Sequence, residues 1–142
     1  MIPDEHRKFL EEHRLCVVGF NRKSGPPALS PVYYYVDGDE IVFSTQATRG
    51  KAKQAERLGE VTLCVLEEQL PFAYLTVYGT VRVDHEGAVD TMMRAAGAMT
   101  GSEIPEAARP GFEQRAKEEN RVALRVTPTG FFSTRTVAPK AG

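Results

Sequence analysis

Apolar residues along this chain fall into short blocks divided by turn-forming clusters, a spacing that predicts strands more than long helices. Leu15–Phe20 is a compact apolar run that ends at Asn-Arg-Lys-Ser-Gly-Pro-Pro. Leu29–Val36 follows, rich in Tyr and Val, and Asp37-Gly38-Asp39 turns the chain into Ile41–Ser44 as a hairpin. Val61–Leu66 and Tyr74–Val83 are the next two strands, and Arg121–Val126 is the last. Helical patterning appears in four places. Pro3–His13 carries Phe9 and Leu10 among charges, and Lys51–Leu58 is helical by propensity with Gly59 placed to stop it. Gly87–Met99 and Glu106–Glu118 form a pair separated by Gly-Ser-Glu-Ile-Pro.

About six strands joined by tight turns favour an antiparallel sheet over a βαβ repeat. The expected architecture is mainly β with peripheral α-helices, a closed or partly closed barrel. At 142 residues the chain reads as one domain, 1–142, with a core over about 9–126 and a C-terminal extension over 127–142.

Charge and cysteine usage narrow the class. A formal net charge of −1 argues against a dedicated nucleic-acid binder, where a clear basic excess would be expected. No apolar stretch approaches the ~20 residues that span a bilayer, and Met-Ile-Pro-Asp-Glu-His-Arg-Lys-Phe-Leu lacks the apolar core of a signal peptide. Cys16 and Cys64 lie inside apolar runs and read as buried, reduced thiols, so the expected location is cytoplasmic.

Hydrolytic and nucleotide motifs are absent: no G-x-S-x-G, no G-x-G-x-x-G, no P-loop. His6 and His13 are spaced by seven among Glu5, Glu11 and Glu12, which reads as a solvated charged face rather than a metal site. His85, between Asp84 and Glu86, is expected at the start of the third helix with no ligand role.

The densest chemistry lies in Glu40–Leu66. A β run delivers Ser44 and Thr45 to a strand end, and Thr48, Arg49, Gly50 and Lys51 then open a helix. Hydroxyls, two cations and free backbone N–H groups at one helix N-terminus suit a phosphate. Two readings stay open there, solvated cations at a loop–helix junction or a phosphate site. The same holds for the aromatics. Tyr33 and Tyr35 fall on one sheet face and Tyr34 on the other, while Phe72 and Tyr74 near a strand mouth are either packing aromatics or covers for a flat heterocycle.

Three segments, LSPVYYYVDGDEIVFST, TRGKAKQAERLGEVTLCVL and PFAYLTVYGTVRV, resemble the flavin and deazaflavin oxidoreductases of the pyridoxamine-5′-phosphate-oxidase-like split-barrel superfamily, nearest its coenzyme F-420-dependent branch. The carrying pattern is S-x4-R-x-K, here Ser44, Arg49 and Lys51, and the likeness runs from about Phe9 to Val126. The resemblance implies a six-stranded antiparallel split β-barrel of the FMN-binding type, homodimeric, with two cofactor sites at the subunit interface. It implies that Ser44, Thr45, Arg49, Gly50 and Lys51 hold the cofactor phosphate and that Gln54 faces the same ligand. Val32 and Tyr33 would lie along the ring, and Phe72 and Tyr74 would arrive from the partner. Thr48 stands where relatives often carry Pro, and Gly59-Glu60 where they often carry Asp-Pro. Neither departure removes a phosphate contact.

The implied activity is hydride transfer from reduced F-420 to a small conjugated or heterocyclic substrate, with no side chain marked as an acid–base catalyst and Tyr74 or a water as the proton source. An FMN-dependent oxidase or reductase of the same fold is the rival, and a non-catalytic flavin- or haem-binding barrel the third reading. Lys53 and Arg121 are the cations available for an anionic tail. No metal, nucleic acid or membrane partner is expected.

Overall fold

The computed structural model describes residues 1–134 and residue 137. The order is α1 (Asp4–Glu12), β1 (Leu15–Phe20), β2 (Ala28–Tyr33), β3 (Tyr35–Asp37), β4 (Glu40–Gln46), α2 (Gly50–Leu58), β5 (Glu60–Glu67), β6 (Ala73–Asp84), α3 (Ala88–Thr100), a 3-10 turn (Glu106–Ala108), α4 (Arg109–Glu118) and β7 (Arg121–Ser133). All strand pairs are antiparallel, in the order β2-β1-β5-β6-β7-β4-β3. The expected antiparallel split barrel is thus what forms. Pairing resolves seven strands rather than six because the expected strand Leu29–Val36 divides at Tyr34.

That division closes the barrel. β2 and β3 are the two opposite edges of the sheet, yet only Tyr34 separates them in sequence. The sheet must therefore curl until its edges meet, which removes the open edges a flat sheet would leave. Tyr34 is 1% exposed; its N–H donates to Arg14 O at 3.0 Å and its phenol to Leu10 O at 2.7 Å. Tyr33 and Tyr35 face away from it, as alternation requires.

The inward residues of the central strands, among them Phe43, Leu63, Leu75, Val77 and Leu124, are fully buried. Burying each is worth about 1.5–3 kcal/mol. α1 covers one end with Phe9 and Leu10.

Three expectations need correction. The last strand does not stop at Val126 but pairs with β6 as far as Ser133. Pro128 has no N–H to give the ladder, and the register jumps between Tyr78 and Gly79 so that Gly79 faces Pro128 and Tyr78 faces Gly130. A Cβ on Gly79 would sit 2.7 Å from Thr127 O, so only glycine allows the strands this close. The remainder of the extension, residues 135, 136 and 138–142, lies outside the described residues. His6 is not solvated: it is buried, tilted onto Phe131 with ring centroids 4.6 Å apart, and neither ring nitrogen has a partner among the described residues. Burial holds its pKa below the ordinary histidine value, against the opposing pull of Glu5. Finally, Cys64 is only half-buried; Cys16 is buried and its thiol is pushed up to about 12 by burial. Their strands pair, but Cys16 faces inward and Cys64 outward. His13 bonds Phe9 O at 2.7 Å and lies 3.6 Å from Glu67, and His85 sits before α3 as expected, 3.3 Å from Glu56.

One charged cluster fixes the helical layer to the barrel. Arg125 on β7 donates to Asp84 Oδ2 at 3.0 Å, Asp37 Oδ2 at 3.1 Å and Glu40 Oε1 at 3.3 Å. Asp84 Oδ1 also accepts from the N–H groups of Glu86 and Gly87, at 3.1 and 2.9 Å, which sets the start of α3. The Arg125 hydrogen bond holds Asp37 below the usual carboxylate range; for Asp84, burial pushes the other way, and Arg125 with the two N–H groups outweighs it.

Arg125→Met leaves three carboxylates facing one another, and is expected to cost about 2 kcal/mol at pH 7. Both aspartates have depressed values in the folded state, so their contribution is present above the ordinary carboxylate range and lost as pH falls through the folded values. The wild-type advantage in urea midpoint should therefore be full at pH 7 and shrink toward pH 3. A variant equal to wild type at pH 7 would refute the role.

Candidate cofactor-phosphate site

The split in the barrel makes the cavity. β3 pairs with β4 from Asp37↔Glu40 to Tyr35↔Val42, but β2 pairs only with β1. Past Val42, β4 therefore loses its partner on that side just where it presents Ser44, Thr45 and Gln46. β2 passes nearby with Pro31, Val32 and Tyr33, and a cavity of about 330 Å3 opens between the two strands.

α3 roofs the gap. Met92, Ala95, Ala96 and Met99 lie at helical spacing on the face turned to the cavity, joined by Phe112 of α4. The two alanines keep the roof off the strands; the methionines and Phe112 make it apolar.

The opposite end is basic. α2 begins at Gly50 with Arg49 as an extended N-cap, no side-chain cap and no acidic residue in its first turn. Its first N–H groups have no helical acceptor. Its C-terminus, by contrast, is completed: Gly59 takes φ 67° and donates to Ala55 O, and Arg57 sits in the last turn. Only the end facing the cavity lacks compensation, and there it carries Arg49 and Lys51. Arg49 Nε donates to Gln46 Oε1 at 3.1 Å and Lys51 Nζ to Ser30 Oγ at 3.1 Å. Among the described residues neither has a carboxylate within 4.0 Å. Burial, then the charges of Arg49 and Arg121, hold Lys51 below the ordinary lysine value. Ser44 Oγ is buried, with no hydrogen-bond partner among the described residues. An orphaned hydroxyl beside cations at a helix N-terminus is a set of donors without an acceptor, and an oxyanion supplies one.

Of the residues expected at a site, Val32, Tyr33, Ser44, Thr45, Arg49 and Lys51 come together around this cavity. Gly50 opens α2 beside it without lining it. Gln54 is turned away, accepting from Arg57 Nε at 2.9 Å. Phe72 and Tyr74 lie elsewhere on the same chain, their rings 6.0 Å apart. Arg121 lines the cavity; Lys53 is exposed outside it. Sequence reading missed Arg115, Phe112 and the α3 stripe. The stripe's period was visible in Gly87–Met99, but what it faces was not.

The sequence profile of the pyridoxamine 5′-phosphate oxidase family matches residues 2–135. The chain belongs to that family. No curated protein matches it. Several solved structures share the fold. A conserved hypothetical protein from Mycobacterium tuberculosis superposes with a TM-score of 0.80 at 19% identity, covering 100% of this chain and 91% of that one. A protein named F-420 reductase gives 0.72 at 20% identity, covering 92% and 98%. An FAD-binding protein from Mesorhizobium loti gives 0.61 at 15% identity, covering 89% and 86%. The family fold is flavin-binding, and the cavity described above is where this chain offers phosphate donors. Among the described residues no helix is long and apolar enough to cross a membrane, and no cluster of metal-ligating side chains occurs.

Lys51→Met separates binding from stability. It should weaken inorganic phosphate binding about tenfold by calorimetry, through loss of a charge-assisted hydrogen bond. The melting temperature should hold or rise, because a lysine with a depressed folded value opposes folding at neutral pH, a penalty relieved only as pH rises through that value. Arg49→Ala should weaken phosphate similarly with no stability gain. Unchanged phosphate affinity in both variants would remove the assignment.

Proposed function

We propose that this chain is an oxidoreductase that binds a deazaflavin, coenzyme F-420, and passes its hydride to a small conjugated or heterocyclic substrate. The observation that carries the reading is the buried Ser44 Oγ, unpartnered among the described residues, beside Arg49 and Lys51 at the free N-terminus of α2. Those residues fit the phosphate that ends the ribityl chain of either a flavin or a deazaflavin. The likeness to F-420 reductase supports the choice of cofactor at the level of fold.

When bound, the cofactor supplies the hydride. The protein's part is binding and orientation. Ser44, Thr45, Arg49, Lys51 and the first N–H groups of α2 would hold the phosphate, and Val32 and Tyr33 line the space left for the ring. Met92, Met99 and Phe112 exclude water from the opposite side. Among the described lining residues there is no carboxylate or imidazole; a proton for the reduced product would come from Tyr74 of a second copy or from water.

The second copy belongs to the proposal. Pro31 and Tyr33 border both this cavity and a larger depression of about 910 Å3 that reaches Leu15 and Leu66. Beyond it lies an aromatic strip: Phe72, Tyr74 and Phe132 with successive centroids 6.0 and 6.1 Å apart, and Tyr78 further along β6. Phe72, Tyr78 and Phe132 are about half exposed in the single chain. A twofold copy covers such a face and brings Phe72 and Tyr74 to the site.

Fluorescence titration with F-420 and with FMN, at low and high salt, tests the cofactor. F-420 should bind more tightly and lose affinity as salt screens its anionic tail over a Debye length of ~8 Å, while FMN shows a smaller salt effect. Chemically reduced F-420 should then turn over with a panel of conjugated acceptors. Tight FMN binding with no detectable F-420 binding would move the assignment to an FMN enzyme; binding of neither would favour a non-catalytic barrel.

Light scattering at micromolar concentration should give a mass near twice 15.7 kDa. Phe72→Asp and Tyr78→Asp should each yield monomers with weakened cofactor binding. A monomeric wild type with full cofactor affinity would contradict the shared site.

A further inference from the structure

The cations of the cavity form one continuous arc. Lys51 and Arg49 begin it at α2, Arg121 continues it opposite Gln46 in strand register, and Arg115 of α4 ends it. The halves are linked: Arg49 bonds the Gln46 side chain, and the charge of Arg121 bears on Lys51. The halves differ in one respect. Lys51 and Arg49 have no carboxylate within reach among the described residues, whereas Arg115 and Arg121 share one. Glu119 Oε1 accepts from Arg115 Nε at 3.0 Å and Glu119 Oε2 from Arg121 Nε at 2.7 Å.

We propose that Glu119 is the chain's own counter-anion for the second half of the arc, and that it yields those two guanidinium groups only to a ligand that carries a second anionic group besides its phosphate. Glu119 holds the two guanidinium groups as a ligand carboxylate or phosphodiester would, by charge-assisted hydrogen bonds. It is not itself part of the cavity wall, and its side chain is 29% exposed at the end of α4. It can therefore swing to solvent when a ligand anion replaces it, exchanging one anion for another on the same donors. A ligand with a single phosphate leaves Glu119 in place; one with two anions displaces it. Glu119 thus acts as a selectivity device, setting a threshold that only the second anion of the correct ligand passes. The inference rests on the cavity being the ligand site, but not on which cofactor fills it.

Inorganic phosphate is the probe that keeps the two questions apart. The arginine Nε–H signals in a heteronuclear NMR titration report each half separately. In the wild type, Arg49 should respond first, and Arg115 and Arg121 only at concentrations about tenfold higher. In Glu119→Gln the Arg115 and Arg121 midpoint should fall at least fivefold, with Arg49 changing less than twofold. Arg115→Gln should abolish the second event and leave the first. Equal tightening of both halves in Glu119→Gln, the signature of a mere change in net charge, would overturn the proposal, as would an unmoved second midpoint. In a parallel arm, Glu119→Gln should tighten F-420 about fivefold and leave FMN within twofold; equal effects on both would also count against it. If phosphate behaves as expected while neither cofactor binds, the cofactor assignment falls and the role of Glu119 stands.

Discussion

Tyr34 carries the chain from one edge of the sheet to the other, and the geometry of the site depends on how it does so. Its buried ring and its two hydrogen bonds, to Arg14 O and Leu10 O, anchor the crossing to β1 and α1. On one side of it β3 pairs with β4; on the other β2 pairs with β1. A chain held at that point cannot pair β2 with β4 as well, so the strands diverge and the barrel stays open along Ser44–Gln46. The opening is thus a consequence of closure, and the cavity occupies the place where a regular barrel would have had one more ladder. α3 then has to cover it, which ties the roof to the Asp84–Arg125 contact that sets the start of that helix.

Electrostatics decides what the opening is for. Cations at a helix N-terminus oppose the macrodipole, by about 0.3–1 kcal/mol each at the surface. Lys51 meets that penalty together with partial burial and two neighbouring arginines. Nothing nearby offsets it: the first turn of α2 holds no acid, and the Ser30 hydroxyl is a neutral partner. By contrast, Arg125 pairs with three carboxylates and Arg109 with Asp90 and Glu106. At the cavity, two cations without a carboxylate partner among the described residues stand beside a buried hydroxyl that has none there either. Such concentrated local disfavour is expected where a bound anion completes the structure.

Much of this was legible in the sequence where the signal is local. The strand blocks, the Asp37-Gly38-Asp39 hairpin and the Gly59 stop each rest on a few adjacent residues, and so does the Ser44–Lys51 cluster. What was hidden came from contacts between distant segments. Tyr33-Tyr34-Tyr35 reads as one strand because all three are good strand formers; the break is imposed by closure. The last strand was expected to end at Val126, yet β7 continues through Pro128 and Gly130, since the bulge opposite Tyr78–Gly79 accommodates a residue without an N–H. His6 was masked by its charged neighbours, and burial on Phe131 is a property of the packed helix. Arg115 and Phe112 reach the cavity from a helix whose polar face gives no sign of a ligand.

The same distinction explains why the two halves of the basic arc differ in how they can be recognised. The phosphate half is written in one short segment because a strand end and the following helix N-terminus are consecutive in the chain. Backbone geometry alone brings their donors together there. The other half is assembled from the end of α4 and the start of β7, adjacent in sequence around Glu119 and Asn120, where Asn120 takes φ 51° to turn the chain. That turn sets Glu119 between Arg115 and Arg121, so the residue that neutralises them is fixed by the same backbone that presents them. A local ion pair of this kind looks, in sequence, like any exposed helix terminus. Only its register opposite Gln46 makes it part of the cavity, and that register is a property of the closed barrel.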